Sequence, residues 1–344
     1  MPFQRNGAVR PAIESVIPMS GIPGGEVAIR GTGFALAPRP CVTFGGTEAT
    51  LVVGSGSFVI ARVPDAAAAG DLVVDNGESK SDPVPFKLGR IVADSLHPVA
   101  NPWVDRSGNV YSTFSGSRGQ KTPVSVYRID PAREMTPFLS DLMNATAIIG
   151  APDGESLFVS SRFDGVVYQV SPSGVMSVYV EGMGVATGLA LDEGGNLFVG
   201  DRSGTIFKVS PDRQIYVFAT LEPSIAAYHL AFGPDGWLYV TGPTTSSHDA
   251  VYRVAPTGEV ETFYRGLGRP QGIAFDASGN LYVAASWRGR RGIIRITPEK
   301  EPSLFLTGPN IVGLAFGPKG KLYITTTGAL YEVAAGIEGA IRRA

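Results

Sequence analysis

The sequence predicts an all-β protein with two domains, an immunoglobulin-like β-sandwich followed by a six-bladed β-propeller. Glycine (44) and proline (26) are frequent among the 344 residues and only 17% are charged, which fits short strands joined by tight turns. The first part of the chain alternates short apolar runs with glycine turns, and the rest repeats one pattern every 40 or so residues. We therefore expect the sandwich at 1–88 and the propeller at 89–344.

The sandwich is predicted from short runs in which apolar and polar residues alternate. These runs are 13–17, 26–30, 41–44, 58–63 and 71–74, and the last is closed by the hairpin signal Asp75-Asn76-Gly77. The run from Ile13 to Gly21, with Gly31-Thr32-Gly33-Phe34 and Val42-x-Phe44-Gly45-Gly46, resembles an IPT/TIG domain. That resemblance implies a spacer or interaction module. Seven Lys/Arg stand against eight Asp/Glu in 1–88 without a basic stripe, so we expect no nucleic acid partner.

The propeller is predicted from an apolar–aromatic pair that recurs six times. The pairs are Val110-Tyr111, Leu157-Phe158, Leu197-Phe198, Leu238-Tyr239, Leu281-Tyr282 and Leu322-Tyr323. A glycine turn and a small apolar run precede the typical pair, and two further strand-like runs follow it, which makes a four-stranded blade. Residues 90–93 stand at the offset of an outer strand, so we expect them to complete the last blade, in preference to the 337–343 tail.

These repeats resemble NHL-repeat and gluconolactonase/regucalcin-like propellers. The resemblance implies that enzymatic members hold one divalent metal at the channel mouth through Glu, Asn and Asp. Counting back from each turn gives the corresponding positions here: Ala100, Thr146, Thr187, Tyr228, Gln271 and Val312. None is a carboxylate, so we predict no metal and no cofactor. A divalent cation, calcium or zinc, enters only if Asn101, His229 or Asp201 substitutes for the missing ligands.

Several other chemistries are excluded or disfavoured by composition. The single cysteine, Cys41, excludes an internal disulfide, and three histidines leave little for a histidine-rich metal site. Nucleophile-elbow, phosphate-loop and H-E-x-x-H patterns are absent from the sequence. The net charge of -2 argues against coating nucleic acid or a membrane. Residues 1–6 do not begin a signal peptide, so we expect a cytoplasmic protein, or an extracytoplasmic one if a leader was removed.

One feature points to a ligand. The loops from second to third strands carry seven basic residues, Arg118, Lys121, Arg162, Arg202, Arg288, Arg290 and Arg291, against Asp164, Asp201 and Asp249. These loops gather at the propeller face where the inner strands start, and the excess of positive charge would attract an anion. Our candidate ligand-binding set is Arg162, Asp201, Arg202, Tyr228, His229, Gln271, Trp287 and Arg288.

The preferred function is therefore non-enzymatic: a propeller that recognises a protein partner or an anionic small molecule at this face. No catalytic residue is assigned. One alternative is a gluconolactonase-like, metal-dependent hydrolase of a lactone or ester. A second alternative is a structural scaffold that offers both domains to other proteins. The sequence leaves the identity of the ligand and the oligomeric state open.

Overall fold

The computed structural model describes residues 9–35 and 39–340, and this part of the chain is almost entirely β. Its one helical element is a single 3-10 turn, Pro318–Gly320. Within the described residues, no helix has the length and apolar character needed to cross a bilayer. The sequence features at 1–6 and at 341–343 lie outside the described residues. The all-β prediction is confirmed.

The chain divides into two compact units. The first contains the residues up to Arg90, together with Gly289–Ile293 and Leu304–Pro309. Its strands from the N-terminal part are β1 (Ala12–Ile17), β2 (Ser20–Gly21), β3 (Glu26–Thr32), β4 (Cys41–Phe44), β5 (Thr47–Glu48), β6 (Thr50–Gly54), β7 (Phe58–Arg62), β8 (Leu72–Asp75) and β9 (Lys87–Leu88). Two sheets form, in the orders β1-β3-β7-β6 and β5-β4-β8.

The inward-facing residues of both sheets make one apolar core. Val27, Ile29, Val42 and Phe44 are buried, and each alternates with more exposed neighbours along its strand, as the period of two in a pleated strand requires. Phe44 meets Phe86 edge-on at 4.9 Å between ring centroids. The N-terminal strands of the first unit therefore form the predicted immunoglobulin-like sandwich.

The second unit holds most of the propeller: Ile91–Arg288, Ile294–Ser303 and Asn310–Ala344. After β10 (Arg90–Ala93), the blades follow in chain order. Blade 1 is β11 (Trp103–Val104), β12 (Val110–Thr113), β13 (Val126–Ile129) and β14 (Met135–Leu139). Blade 2 is β15 (Ala145–Gly150), β16 (Leu157–Ser161), β17 (Val166–Val170) and β18 (Met176–Val180). Blade 3 is β19 (Ala186–Leu191), β20 (Leu197–Asp201), β21 (Thr205–Val209) and β22 (Ile215–Thr220).

The remaining blades repeat this arrangement. Blade 4 is β23 (His229–Phe232), β24 (Leu238–Thr241), β25 (Asp249–Val254) and β26 (Val260–Leu267). Blade 5 is β27 (Ile273–Phe275), β28 (Leu281–Trp287), β29 (Arg290–Ile296) and β30 (Pro302–Thr307). Blade 6 contributes β31 (Ile311–Gly317), β32 (Lys321–Thr326) and β33 (Leu330–Ala334). In every blade the strands neighbour one another in chain order, so the six-bladed prediction is confirmed.

Blade 6 is completed from the other end of the propeller segment. Its strand order is β10-β33-β32-β31, which confirms the prediction that 90–93 supply the outer strand. The described part of the C-terminal tail lies elsewhere: Ala340 N–H donates to Phe275 O (2.9 Å), and Asp276 bridges Gly339. β10 thereby covers the edge that β33 would otherwise leave unpaired.

The recurring aromatic of each second strand joins neighbouring blades. Phe198 packs edge-on against Phe218 of its own blade (4.9 Å) and against Phe232 of the next blade (5.1 Å). Tyr239 repeats this with Phe263 (5.0 Å) and Phe275 (4.8 Å). Such edge-to-face pairs contribute about 0.5–1.5 kcal/mol each beyond area burial. The aromatic period of the sequence therefore reflects the packing of one blade on the next.

Candidate functional site

The six positions obtained by counting back from the turns lie at the junctions between blades. At four junctions a second-strand hydroxyl donates to the carbonyl of the counted residue in the next blade. The pairs are Thr113 to Thr146 (3.1 Å), Ser160 to Thr187 (2.7 Å), Thr241 to Gln271 (2.5 Å) and Thr325 to Ala100 (3.0 Å). These shared bonds show that the counted residues occupy equivalent places around the channel.

This ring does not fit a divalent cation. The counted side chains include no carboxylate, and four of the carbonyls already accept the hydroxyl bonds. The Asn101 side chain donates to Ile273 O (2.8 Å) and accepts from Leu314 N–H (3.0 Å), so its amide is engaged at both ends. In the described residues, no three His, Cys, Asp or Glu side chains gather as metal ligands. We derive no metal-dependent step, and the cofactor prediction stays a prediction.

The residues that follow the counted positions form the neck of the channel: Asn101, Ala147, Gly188, His229, Gly272 and Gly313. Glycine is required at two of these positions because neighbouring blades approach closely there. A Cβ on Gly272 would stand 2.5 Å from Gly313 Cα, and a Cβ on Gly313 would stand 2.6 Å from Asn101 Cα. Both distances are far inside van der Waals contact, so these positions accept only glycine without backbone movement.

On the side of the neck where the inner strands start lies a small cavity of about 220 Å³, which we call the arginine mouth. Its polar lining comes from His97, Arg162, Thr187, Arg202, Gln271 and Thr327. The loops that enter the inner strands and the loops that leave the second strands supply these residues, as the sequence predicts for Arg162, Arg202 and Gln271. No described residue of this lining is an aspartate or glutamate.

Arg162 is half-buried in this mouth. Its Nη2 donates to Gly116 O (3.1 Å), whereas its buried Nε has no hydrogen-bond partner among the described residues. Burial is the first cause that lowers the pKa of Arg162, and the positive charges of Arg202 and Arg118 add to it. A guanidinium held in this way carries positive charge without a neighbouring anion.

Arg202 is positioned from the next blade. Its Nη2 donates to Ile225 O (3.0 Å) and its Nε lies 3.5 Å from Ser224 O, both in the loop that enters blade 4. These partners are neutral carbonyls, and within the described residues neither Arg162 nor Arg202 forms an ion pair. The two guanidiniums are therefore oriented by the fold and still free to meet a carboxylate or phosphate.

On the other side of the neck lies a cavity of about 1070 Å³, which we call the acidic cavity. Inner strands form its wall, and the turns between first and second strands form its rim. The rim carries Asp192, Glu193, Asp235, Asp276 and Glu338, and no lysine or arginine is among the described lining residues. The candidate residues Tyr228 and His229 line this cavity and not the arginine mouth.

Tyr228 and His229 are both buried. The Tyr228 hydroxyl donates to Glu222 O, and its backbone N–H donates to Thr187 Oγ1 (3.1 Å). Desolvation raises the pKa of Tyr228, so the phenol stays protonated and serves as a structural donor. Burial lowers the pKa of His229 to about 4, so its imidazole is neutral at pH 7.

Three other candidate residues line neither cavity. The Asp201 carboxylate accepts from the N–H groups of Val185 (2.9 Å) and Ser203 (3.3 Å) and from the Ser203 hydroxyl, which braces a loop. The Arg288 guanidinium stacks on the Trp287 ring at 4.5 Å. The structure thus brings together Arg162, Arg202 and Gln271, and ligand binding by any candidate residue stays a prediction.

Two features escaped the sequence reasoning. His97, assigned there to a turn, lines the arginine mouth, with its Nδ1 in hydrogen-bond contact with Ser115 O. His97 stands three residues before the counted position Ala100. Ile225, which also lines the mouth, stands three residues before the counted position Tyr228, so the same counting could have found His97. The sequence prediction placed ligand binding at the opposite face and did not include the acidic cavity. The Asp-x-x-Gly-Asn turns at 192–196 and 276–280 were its available signal.

Comparisons with known proteins agree with this architecture. Residues 11–88 match the family model of the IPT/TIG domain. A comparison with curated proteins found no match. Among solved structures, an auxiliary nutrient binding protein from Bacteroides thetaiotaomicron is similar at 16% identity and a TM-score of 0.55, over 94% of this chain and 97% of that one.

Other similar structures cover a smaller share of this chain. A protein assigned as a gluconolactonase shares 18% identity over 74% of this chain and 94% of its own, with a TM-score of 0.60. A streptogramin B lyase shares 16% identity over 72% and 96%, with a TM-score of 0.52. At these identities the likeness shows the fold and does not separate binding from hydrolysis. The chain carries an N-terminal IPT/TIG domain and a β-propeller of the fold seen in gluconolactonase-like proteins.

Proposed function

We propose that this protein is a non-enzymatic binding protein whose propeller holds a small anion, or the anionic end of a larger molecule, at the arginine mouth. The observation that carries the proposal is the pair Arg162 and Arg202, oriented by carbonyls and not matched by any carboxylate in the described lining. Guanidinium groups bind carboxylates and phosphates through charge-assisted, often bidentate hydrogen bonds.

Size and further donors support a small ligand. A volume of about 220 Å³ lies below the range of drug-sized sites and suits a carboxylate, a phosphate or part of a sugar acid. Gln271 and Thr327 add neutral hydrogen-bonding groups on the same lining. Desolvation of a half-buried arginine strengthens its interaction with an anion relative to an exposed one.

Isothermal titration with gluconate and with inorganic phosphate tests this proposal. Arg162→Ala and Arg202→Ala are each expected to weaken the better ligand about tenfold or more, because each removes a charge-assisted bond worth about 1.5–3 kcal/mol. Arg106→Ala is the matched control, since Arg106 is exposed in a turn on the other side of the neck. If both mouth variants bind like the wild type, or if neither anion binds, the proposal is wrong.

The same titration tests whether Trp287 and Arg288 take part in anion binding. Their stacked pair lines neither cavity, so we expect Arg288→Ala to change anion affinity less than either mouth variant.

The proposal also includes the domain boundary at 88/89 and the role of the IPT/TIG domain as an interaction module.

A further inference from the structure

The acidic cavity contains a polar group that the proposed anion site does not use. His229 begins β23 at the neck, is only 4% exposed and lines the cavity. Its imidazole makes no hydrogen bond to any described residue, in contrast to the engaged amide of Asn101 on the same ring. The His229 ring nitrogens are not among the fully buried unpaired atoms of the described residues, so they open onto the cavity, where a ligand or water can complete their bonding.

The wall between the neck and the rim is largely apolar. Trp103, Phe232, Phe275 and Phe316 contribute aromatic side chains, and Leu189 and Ile273 contribute aliphatic ones. A volume of about 1070 Å³ is at the upper end of the range for small-molecule sites. Such a wall favours a ligand with an apolar body, because the ligand's apolar surface leaves water when it binds there.

The rim fixes the sign of the ligand's charge. Two of its five carboxylates are held in place by their turns: Asp192 and Asp276 each accept from the backbone and side-chain N–H groups of an asparagine four residues on, at 2.8–2.9 Å. These bonds orient the two carboxylates without neutralising them. Asp235 is ion-paired with Arg253 (3.7 Å), which lies outside the lining, and Arg106 and Lys319 lie in neighbouring turns.

We propose that the acidic cavity binds an organic cation: an amine whose ammonium group lies at the carboxylate rim, whose apolar body contacts the aromatic wall, and whose far end hydrogen-bonds to His229. A neutral imidazole both donates and accepts, so a hydroxyl or amide at the far end satisfies it. The aromatic faces add a cation–π attraction for an ammonium that approaches them. This site is independent of the anion site at the arginine mouth.

The probe must reach from the rim to the neck. β23 runs from His229 to Phe232 before the turn that carries Asp235, and three steps of extended strand cover about 10 Å, so the span calls for a long, thin molecule. We choose 10-aminodecan-1-ol, with 10-hydroxydecanoic acid as the probe of opposite charge and decylamine as the probe without a hydroxyl. Titration calorimetry of the full chain at pH 7 and low salt measures all three.

The amino alcohol is expected to bind saturably and at least about tenfold more tightly than the acid, since each tenfold step corresponds to about 1.4 kcal/mol of charge discrimination. Ala277→Arg places a cation at the exposed rim and is expected to weaken the amino alcohol about tenfold or more. Ala132→Arg, an equally exposed alanine outside the lining, is the matched control and should leave affinity unchanged.

A second pair of variants keeps the test independent of folding defects at one position. The double variant Glu193→Gln with Glu338→Gln is expected to weaken the amino alcohol severalfold, and His229→Leu is expected to remove its advantage over decylamine. Arg202→Ala should leave amine binding intact, which separates this site from the arginine mouth. Equal binding of acid and amine, an Ala277→Arg variant that binds normally, or no saturable binding up to about 10 mM would overturn the proposal.

Discussion

The two sides of the neck carry opposite charge although the same blades build both. The arginine mouth is lined by loops whose basic side chains contact only carbonyls, so their charge has no partner within the described fold. The acidic cavity is rimmed by turns in which aspartates hold the backbone. Negative charge at the rim is thus tied to folding, whereas positive charge at the mouth is not.

This difference teaches which charges can be changed at little structural cost. Removing Asp276 would also remove the bonds to Asn280 and to the Tyr282 hydroxyl (3.0 Å) and would disturb blade 5. Removing the Arg202 guanidinium leaves Ser224 O and Ile225 O in a loop near the surface. The mouth is therefore the easier face to re-engineer, and the rim is best altered at Glu338 or at Ala277.

The largest expected effect comes from overpacking the neck that separates the two cavities. Gly313→Val would push a branched side chain into the backbone of Ala100 and Asn101 in the neighbouring blade. Overpacking of this kind costs about 3 kcal/mol, which lowers the melting temperature of a domain this size by roughly 6–12 °C. Thermal unfolding followed by circular dichroism measures it.

Gly328→Ala is the matched control, because nothing lies within 4 Å of a Cβ built there. It should change stability by less than about 1 kcal/mol. A Gly313→Val protein as stable as this control would show that the neck is loose and that the two cavities are parts of one open channel.

A smaller effect on the free energy of unfolding is expected from protonating His229. This prediction tests whether its imidazole is neutral, in contrast to the carboxylates of the rim. Its pKa of about 4 in the folded chain lies below its ordinary 6.5. Between these values the unfolded chain binds a proton that the folded chain does not, so stability falls as pH falls. From pH 7 to pH 5 the loss is about 2 kcal/mol.

Urea unfolding at both pH values measures this loss, with His229→Gln as the reference, since the glutamine variant keeps every other titrating group. The wild type should lose about 2 kcal/mol more than the variant. An identical pH dependence in the two proteins would mean that His229 is solvated and that the acidic cavity lacks its buried polar end.

The smallest expected effect is the change in melting temperature when metal ions are removed or added. The ring of counted positions offers backbone carbonyls that are already bonded and no carboxylate, so chelator treatment should change the melting temperature by less than about 1 °C. Calcium and zinc added back at micromolar concentration should have no effect. A rise of several degrees with either ion would contradict this and would make lactone hydrolysis the activity to assay.

Sequence reasoning reached the blades and the ring because both depend on periodicity. The aromatic pairs recur since each second strand packs between two blades, and the counted positions follow from the turns by a fixed offset. It also placed Arg162 and Arg202 at one face. Loop conformation follows no such period, which is why the bracing role of Asp201 and the stacking of Arg288 on Trp287 required coordinates.

The pairing of β10 with β33 also constrains how the chain matures. During synthesis β10 leaves the ribosome before any blade, and its partner β33 is made after the other strands of the six blades. Until β31 to β33 are made, blade 6 cannot form. The face of blade 5 that packs against blade 6 is therefore exposed to water in the growing chain. Synthesis of β33 is the step that allows the ring to close, and a chain that stops before residue 330 would leave β10 without its partner.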